Sequence, residues 1–140
     1  WLGGVQMNEG TLANLVQKQR MTGMNTLECT VYAYHGRWLD NNLWFGDVQD
    51  AQLEEIRLAK QAGLRVAIIL RLQLDHAFPE NDFLWHGMVA PETEYTLNRW
   101  FGEYGRFVKQ WAYVAEQEGV DLLVLGSEMN ALFASRVVKK

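Results

Sequence analysis

The sequence predicts a parallel α/β fold, and three features carry that expectation. Short apolar runs alternate with helix-period segments in the order β-α-β-α-β-α-β over the 140 residues, as in a sheet built from right-handed crossovers. Val66-Ala67-Ile68-Ile69-Leu70 is an unbroken apolar run, the pattern of a strand covered on both faces. Gly23, Gly63 and Gly119 each close a helical segment shortly before the next strand. Two architectures meet this order: an open doubly wound sheet, or part of a (β/α)8 barrel. The first βα turn has no G-x-G-x-x-G pattern and no Walker motif occurs, which weighs against nucleotide binding.

Taken in order, Gly3 to Asn8 is a glycine-weakened strand, followed by a helix from about Thr11 to Met24 with Leu12, Leu15, Val16 and Gln19 on one face. Leu27 to Tyr34 alternates Cys29, Val31 and Ala33 against Thr30, Tyr32 and Tyr34, a strand rich in β-branched and aromatic types. A polar and aromatic loop runs from His35 to about Gly46. Asp50 is placed to cap the next helix, whose Leu53, Ile56 and Ala59 share a face with Lys60 at its edge, ammonium in water. After the third strand, Gln73 to about Pro91 is a connection long enough to expect function of it. The helix from about Glu92 to Glu118 has the strongest period, through Leu97, Trp100, Phe101, Tyr104, Phe107, Val108, Trp111, Ala112 and Ala115. Asp121 to Gly126 forms the fourth strand, and Asn130 to Lys140 a partial helix.

Composition narrows the function classes. Hydrophobic residues at 49% and charged residues at 21% are those of a globular chain rather than a disordered one. A net charge of -4 offers no electrostatic footprint for nucleic acid. No apolar run approaches the ~20 residues of a membrane span. The single cysteine, Cys29, rules out an internal disulfide framework but leaves the compartment open. The chain starts at Trp1, so the expectation is that an upstream part, with any signal peptide, was cleaved or omitted.

In either parallel architecture ligands meet the carboxyl ends of the strands. Those ends offer Gln6 and Asn8, then Tyr32, Tyr34 and His35, then Arg71, Gln73, Asp75 and His76, and last Ser127, Glu128 and Asn130. Glu128 follows an apolar strand and a glycine, so its carboxyl is expected at a partly desolvated rim, the setting of a general acid. The competing reading is a Glu that opens the following helix, near its positive dipole end. Trp38, Trp44 and Trp85 fall in loops on the same side, either as flat platforms for a sugar ring or as packing for their own loops. Trp100 and Trp111 belong to the core stripe. His35, His76 and His86 lack metal-ligand spacing, so neither a metal nor a cofactor is expected, and His35 and His76 read as rim residues able to bond a hydroxyl. Ser127 is not in a G-x-S-x-G elbow.

Val120-Asp121-Leu122-Leu123-Val124-Leu125-Gly126-Ser127-Glu128-Met129 resembles the fourth-strand motif of the clan A glycoside hydrolases, and most of all glycoside hydrolase family 113, whose known members include β-mannanases. Ala59 to Val66, Trp85-His86-Gly87, and Trp100 to Tyr104 with Tyr113 are also similar. The resemblance implies a (β/α)8 TIM-barrel fold, with residues 1–140 as about its first four βα units. It implies a retaining glycosidase acting on a β-linked polysaccharide such as mannan, with Glu128 as general acid/base. Gln6, Asn8, Tyr34, His35, Arg71, Gln73, Trp85 and Asn130 would hold sugar hydroxyls or rings or orient Glu128. Ser127 stands where the clan usually has Asn against the sugar 2-hydroxyl, which would leave that contact shorter or water-mediated. The clan's nucleophile is a second Glu at the end of strand seven, and no carboxylate here matches that position. A retaining pair faces across ~5–5.5 Å, so the chain alone is expected to be inactive. The rival expectation is a non-catalytic half-barrel that binds sugar or associates with another chain. Four curved strands would also leave two open edges, favouring self-association or a missing C-terminal half.

Overall fold

The computed structural model describes the backbone of residues 4–6, and residues 17 and 21–134. Its elements are β1 (Gly4–Gln6), β2 (Thr26–His35), β3 (Leu43–Trp44), α1 (Asp50–Gln61), β4 (Arg65–Leu74), 3-10 turns at Pro79–Asn81 and His86–Met88, α2 (Glu94–Gln117), β5 (Leu122–Val124) and α3 (Asn130–Phe133). Most of the helix expected at 11–24 lies outside the described residues; Gln17, Met21 and Thr22 within it are helical. The last six residues of the expected final helix also lie outside them.

The sheet runs β1-β2-β4-β5, with β3 attached to β2. β1 pairs with β2 in parallel, Gly4 opposite Thr26, and β4 with β5 in parallel, Ala67 opposite Leu122. Arg65 N–H donates to Asn25 O at the start of β2 and β4, and Asp75 N–H to His35 O at their ends, so these two also run in parallel. The parallel strands therefore follow one another in chain order without a reversal. A doubly wound sheet needs a reversal to create its switch point. The order is that of consecutive strands of a (β/α)8 barrel.

The chain forms two compact units, one of residues 1–31, 47–69 and 111–125, the other of residues 32–46, 70–110 and 126–140. In the first, Leu27, Val31, Ile56, Ala59, Val66, Ile68 and Trp111 are buried. Gly63 (φ 78°) and Gly119 (φ 64°) take the left-handed conformation that ends a helix without a Cβ clash. Leu64 N–H then donates to Ala59 O and Val120 N–H to Ala115 O. Asp121 joins β4 to β5 through both chain and side chain: its N–H donates to Val66 O, and its Oδ2 accepts from Val66 N–H and Lys60 Nζ, each at 2.9 Å. Lys60 is thus paired rather than free in water. The cap of α1 is Gln49 rather than Asp50: Gln49 N–H donates to the Gln52 side chain.

In the second unit Ala33, Leu70, Leu72, Leu74, Val89, Trp100, Phe107 and Leu132 are buried. Trp100 stacks on Tyr104 with centroids 4.9 Å apart. β3 replaces part of the expected loop: Gly36 N–H donates to Asn42 O, and Trp44 lies opposite Tyr34 in an antiparallel pair. Along α2 the buried seam is Trp100, Tyr104, Phe107, Trp111 and Val114, steps of four and three that keep one narrow stripe inward. Phe101 and Ala112, expected on that stripe, are exposed at its flank. No described helix is long and apolar enough to cross a membrane.

Candidate active site

The residues that line the cleft, and Glu128, all belong to the second unit. β4 runs four residues past the end of its apolar run and ends at Leu74. Strand alternation then turns Leu70, Leu72 and Leu74 into the core and leaves Arg71 and Gln73 on the other face. The same rule on β2 separates buried Ala33 and His35 from Tyr32 and Tyr34. Tyr32, Arg71 and Gln73 line a cleft of about 410 Å³, together with His76, Leu84, Trp85 and His86.

Glu128 reaches Arg71 and His86 of this lining from the turn after β5. Its backbone has φ 54°, a left-handed conformation that costs a non-glycine residue about 1–2 kcal/mol and is commoner at functional sites than elsewhere. Arg71 Nη2 donates to Glu128 Oε2 at 2.5 Å, and His86 Nε2 lies 2.9 Å from the same oxygen. Arg71 Nε is 3.5 Å from His86 Nε2. The Glu128 side chain is half exposed, so the carboxylate is held by a cation and an imidazole rather than by a dry rim.

The 3-10 turn His86–Met88 presents His86. The Trp85 ring meets the imidazole edge-on, with centroids 5.2 Å apart. Gly87 lies directly beneath that indole, where a Cβ would come within 2.3 Å of Trp85 Cη2. α3 packs against the same turn. Only 15% of the His86 side chain remains exposed.

The other expected site residues divide. Trp85 is exposed and lines the cleft with Arg71 and Gln73. Tyr34 and Trp44 are both exposed and stack on each other, 6.2 Å between centroids, outside the cleft lining. Asn130 is exposed at the first position of α3. Gln6 closes β1, while Asn8 lies outside the described residues. His35 departs from expectation, because it is the last residue on the inward face of β2 and is fully buried. Burial pushes its pKa down; its Nδ1 is 3.3 Å from Gly36 O. Trp38 is half-buried, outside the cleft lining; its backbone N–H donates to Asn81 Oδ1, and its backbone carbonyl accepts from Ala90 N–H. Sequence reasoning passed over His86 as a site residue, since a lone histidine in a loop has no periodicity. The neighbouring Trp-His-Gly triplet was the available signal.

Consecutive parallel strands with polar groups gathered at their carboxyl ends define the class, part of a (β/α)8 barrel with a candidate cleft on the strand-end face. The sequence model of Glycoside Hydrolase Family 113 matches residues 6–136, and the chain belongs to that family. Among solved structures it is similar to the GH113 β-mannanase AaManA from Alicyclobacillus acidocaldarius in complex with ManMIm, with TM-score 0.71 and 21% identity over 84% of this chain. It is also similar to a GH113 β-1,4-mannanase solved as a complex (TM-score 0.68, 21% identity, 85% of this chain) and to a GH113 β-1,4-mannanase structure (0.67, 21%, 84%). The chain spans 38% of the length of the first of these and 40% of the other two. No curated protein matches the sequence significantly.

Proposed function

We propose that the protein is a mannanase-type glycoside hydrolase acting on a β-linked polysaccharide, with Glu128 as its general acid/base. The observation that carries this reading is the Glu128 carboxylate at the end of the fourth parallel strand, gripped by Arg71 and His86 of the cleft lining. Family membership and the β-mannanase names of the similar structures supply the substrate class. Arg71 and His86 orient the carboxyl, while Gln73 and Trp85 offer a hydroxyl partner and a flat face to a sugar ring. Glu128 protonates the leaving oxygen, and a second carboxylate about 5–5.5 Å away traps the anomeric carbon, as a retaining mechanism requires. The described bonds of Glu128 involve no such carboxylate. The nucleophile in this reading comes from outside the four described parallel strands.

The leaving group provides the test. In the full-length protein Glu128→Gln should lower kcat on β-1,4-mannan by about 10²–10⁴-fold. The kcat/KM on a dinitrophenyl β-mannoside should fall far less, because that leaving group departs without protonation in the first half-reaction. Wild-type rates of the variant on mannan would overturn the assignment. Binding of manno-oligosaccharide without turnover on either substrate would instead establish a non-catalytic sugar-binding module.

A further inference from the structure

The carboxyl group of Glu128 is held by one oxygen only. Arg71 Nη2 and His86 Nε2 both converge on Oε2, and Oε1 has no hydrogen-bond partner among the described residues. The guanidinium is always charged and only donates. The imidazole nitrogen at 2.9 Å can either donate to Oε2 or accept, but it cannot do both. If Nε2 were bare, its other partner would be Arg71 Nε at 3.5 Å, the outer limit of a hydrogen bond. Oε2 would then have to carry its own proton toward Nε2 while accepting from Arg71. With the proton on Nε2, the 2.9 Å contact is a sound N–H···O bond, and the 3.5 Å hydrogen bond from Arg71 Nε to Nε2, at the outer limit of such bonds, is given up. The first arrangement needs a proton on Oε2; whenever Glu128 is a carboxylate, Oε2 can only accept, and only the second makes hydrogen bonds of both short contacts.

We infer that His86 is a positioning residue: its Nε2–H and Arg71 Nη2–H together hold Oε2 as an acceptor, so that the proton Glu128 transfers rides on Oε1. This rests on the acid/base reading of Glu128. In the first half-reaction the Oε1–H bond breaks, its electron pair stays on Oε1, and the glycosidic oxygen gains the proton as its bond to the anomeric carbon breaks. In the second, Oε1 takes a proton from water as the water oxygen bonds to the anomeric carbon and the second carboxylate leaves. The elements that hold the imidazole suit the role. Trp85 meets its edge, Gly87 lets the indole close over the turn, and little of the ring stays wet. A carboxyl pinned at one oxygen keeps a fixed direction for the other, which is how orientation contributes to rate.

Three measurements on the full-length protein test this. His86→Ala should lower kcat on mannan by about 10–100-fold with KM changed less than about threefold, a share of the general-acid effect. The kcat/KM on the dinitrophenyl β-mannoside, which reports the first half-reaction alone, should lose little, and His86→Gln, which restores an N–H donor, should recover most of the mannan rate. Equal loss on both substrates, or no recovery by Gln, would overturn the inference and mark His86 as structural. Glu128→Gln active on mannan would instead remove the acid/base reading beneath it. If His86→Ala fails to fold, ¹⁵N NMR of the wild-type His86 ring decides: a protonated Nε2 coupled to Glu128, lost in Glu128→Gln, is expected. A bare Nε2 overturns the inference.

Discussion

Asn81 shows how much of the second unit hangs on one polar residue. It is fully buried, its Oδ1 accepts from Trp38 N–H at 3.1 Å, and its Nδ2 donates to Gly36 O at 2.9 Å and Asp75 O at 2.6 Å. One side chain therefore ties the end of β4 to the loop after β2, at the start of the segment that carries Trp85 and His86. Asn81→Ala leaves two carbonyls and an amide without this partner, an expected loss of about 1–3 kcal/mol. A lower urea midpoint at unchanged slope would register it; an unchanged midpoint would show that water replaces the amide. Nothing in the sequence singled out Asn81, because a buried polar residue in a loop has no period. Glu128 could be read, since four apolar residues, a glycine and a serine precede it and set its place at a strand end. Its partners could not, as His86 lies 42 positions away along the chain and the two meet only through tertiary contact.

At the scale of elements, Asp121 is the clasp between β4 and β5. The Val66 N–H, and after it the Lys60 ammonium, hold its carboxyl below the usual range. Arg57 does the same for Glu118, chiefly through their hydrogen bonds at 2.6 and 2.9 Å. The folded pKa values are depressed, so the unfolded chain binds protons first as pH falls. Both groups thus contribute stability above the unfolded carboxylate pKa of about 4 and lose it as pH drops through the lower folded value. Asp121→Asn should lower Tm at neutral pH and flatten its fall below about pH 4. Thermal melts across the acid range check this, and a parallel acid limb in the variant would rule out Asp121 as a contributor. The strand ends on which this clasp acts could be placed from the sequence only approximately. The apolar run marked the middle of β4, but its extension through Arg71 and Gln73 depends on pairing, which lets polar residues stay in a strand whose other face is buried.

For the molecule as a whole, the order of the parallel strands has a consequence at its ends. β5 is terminal in the described sheet, with Leu122 44% and Leu125 58% exposed. A strand with no further neighbour in the described sheet, beside exposed leucines, invites pairing with another chain. Sedimentation velocity on the 140-residue chain should show association that grows with concentration and weakens in Leu122→Lys with Leu125→Lys. A chain that stays monomeric through the series would contradict it.

Alternation of apolar runs, helical periods and terminal glycines determined the βα order, and the strand-four motif pointed to the family, because both are local patterns written in adjacent residues. The burial of Trp100 and Trp111 followed from the same periodicity. Whether the sheet is wound in sequential order or reversed was open in the sequence, since a βαβ unit looks alike in both. Pairing of β2 with β4 and of β4 with β5 decided it. The fate of His35 was likewise tertiary: parity along β2 carried it inward although its neighbours in sequence face the other way. The grip on Glu128 belongs wholly to the folded chain, because hydrogen bonds among Arg71, His86 and Glu128 depend on where strand, turn and loop meet rather than on any spacing along the sequence.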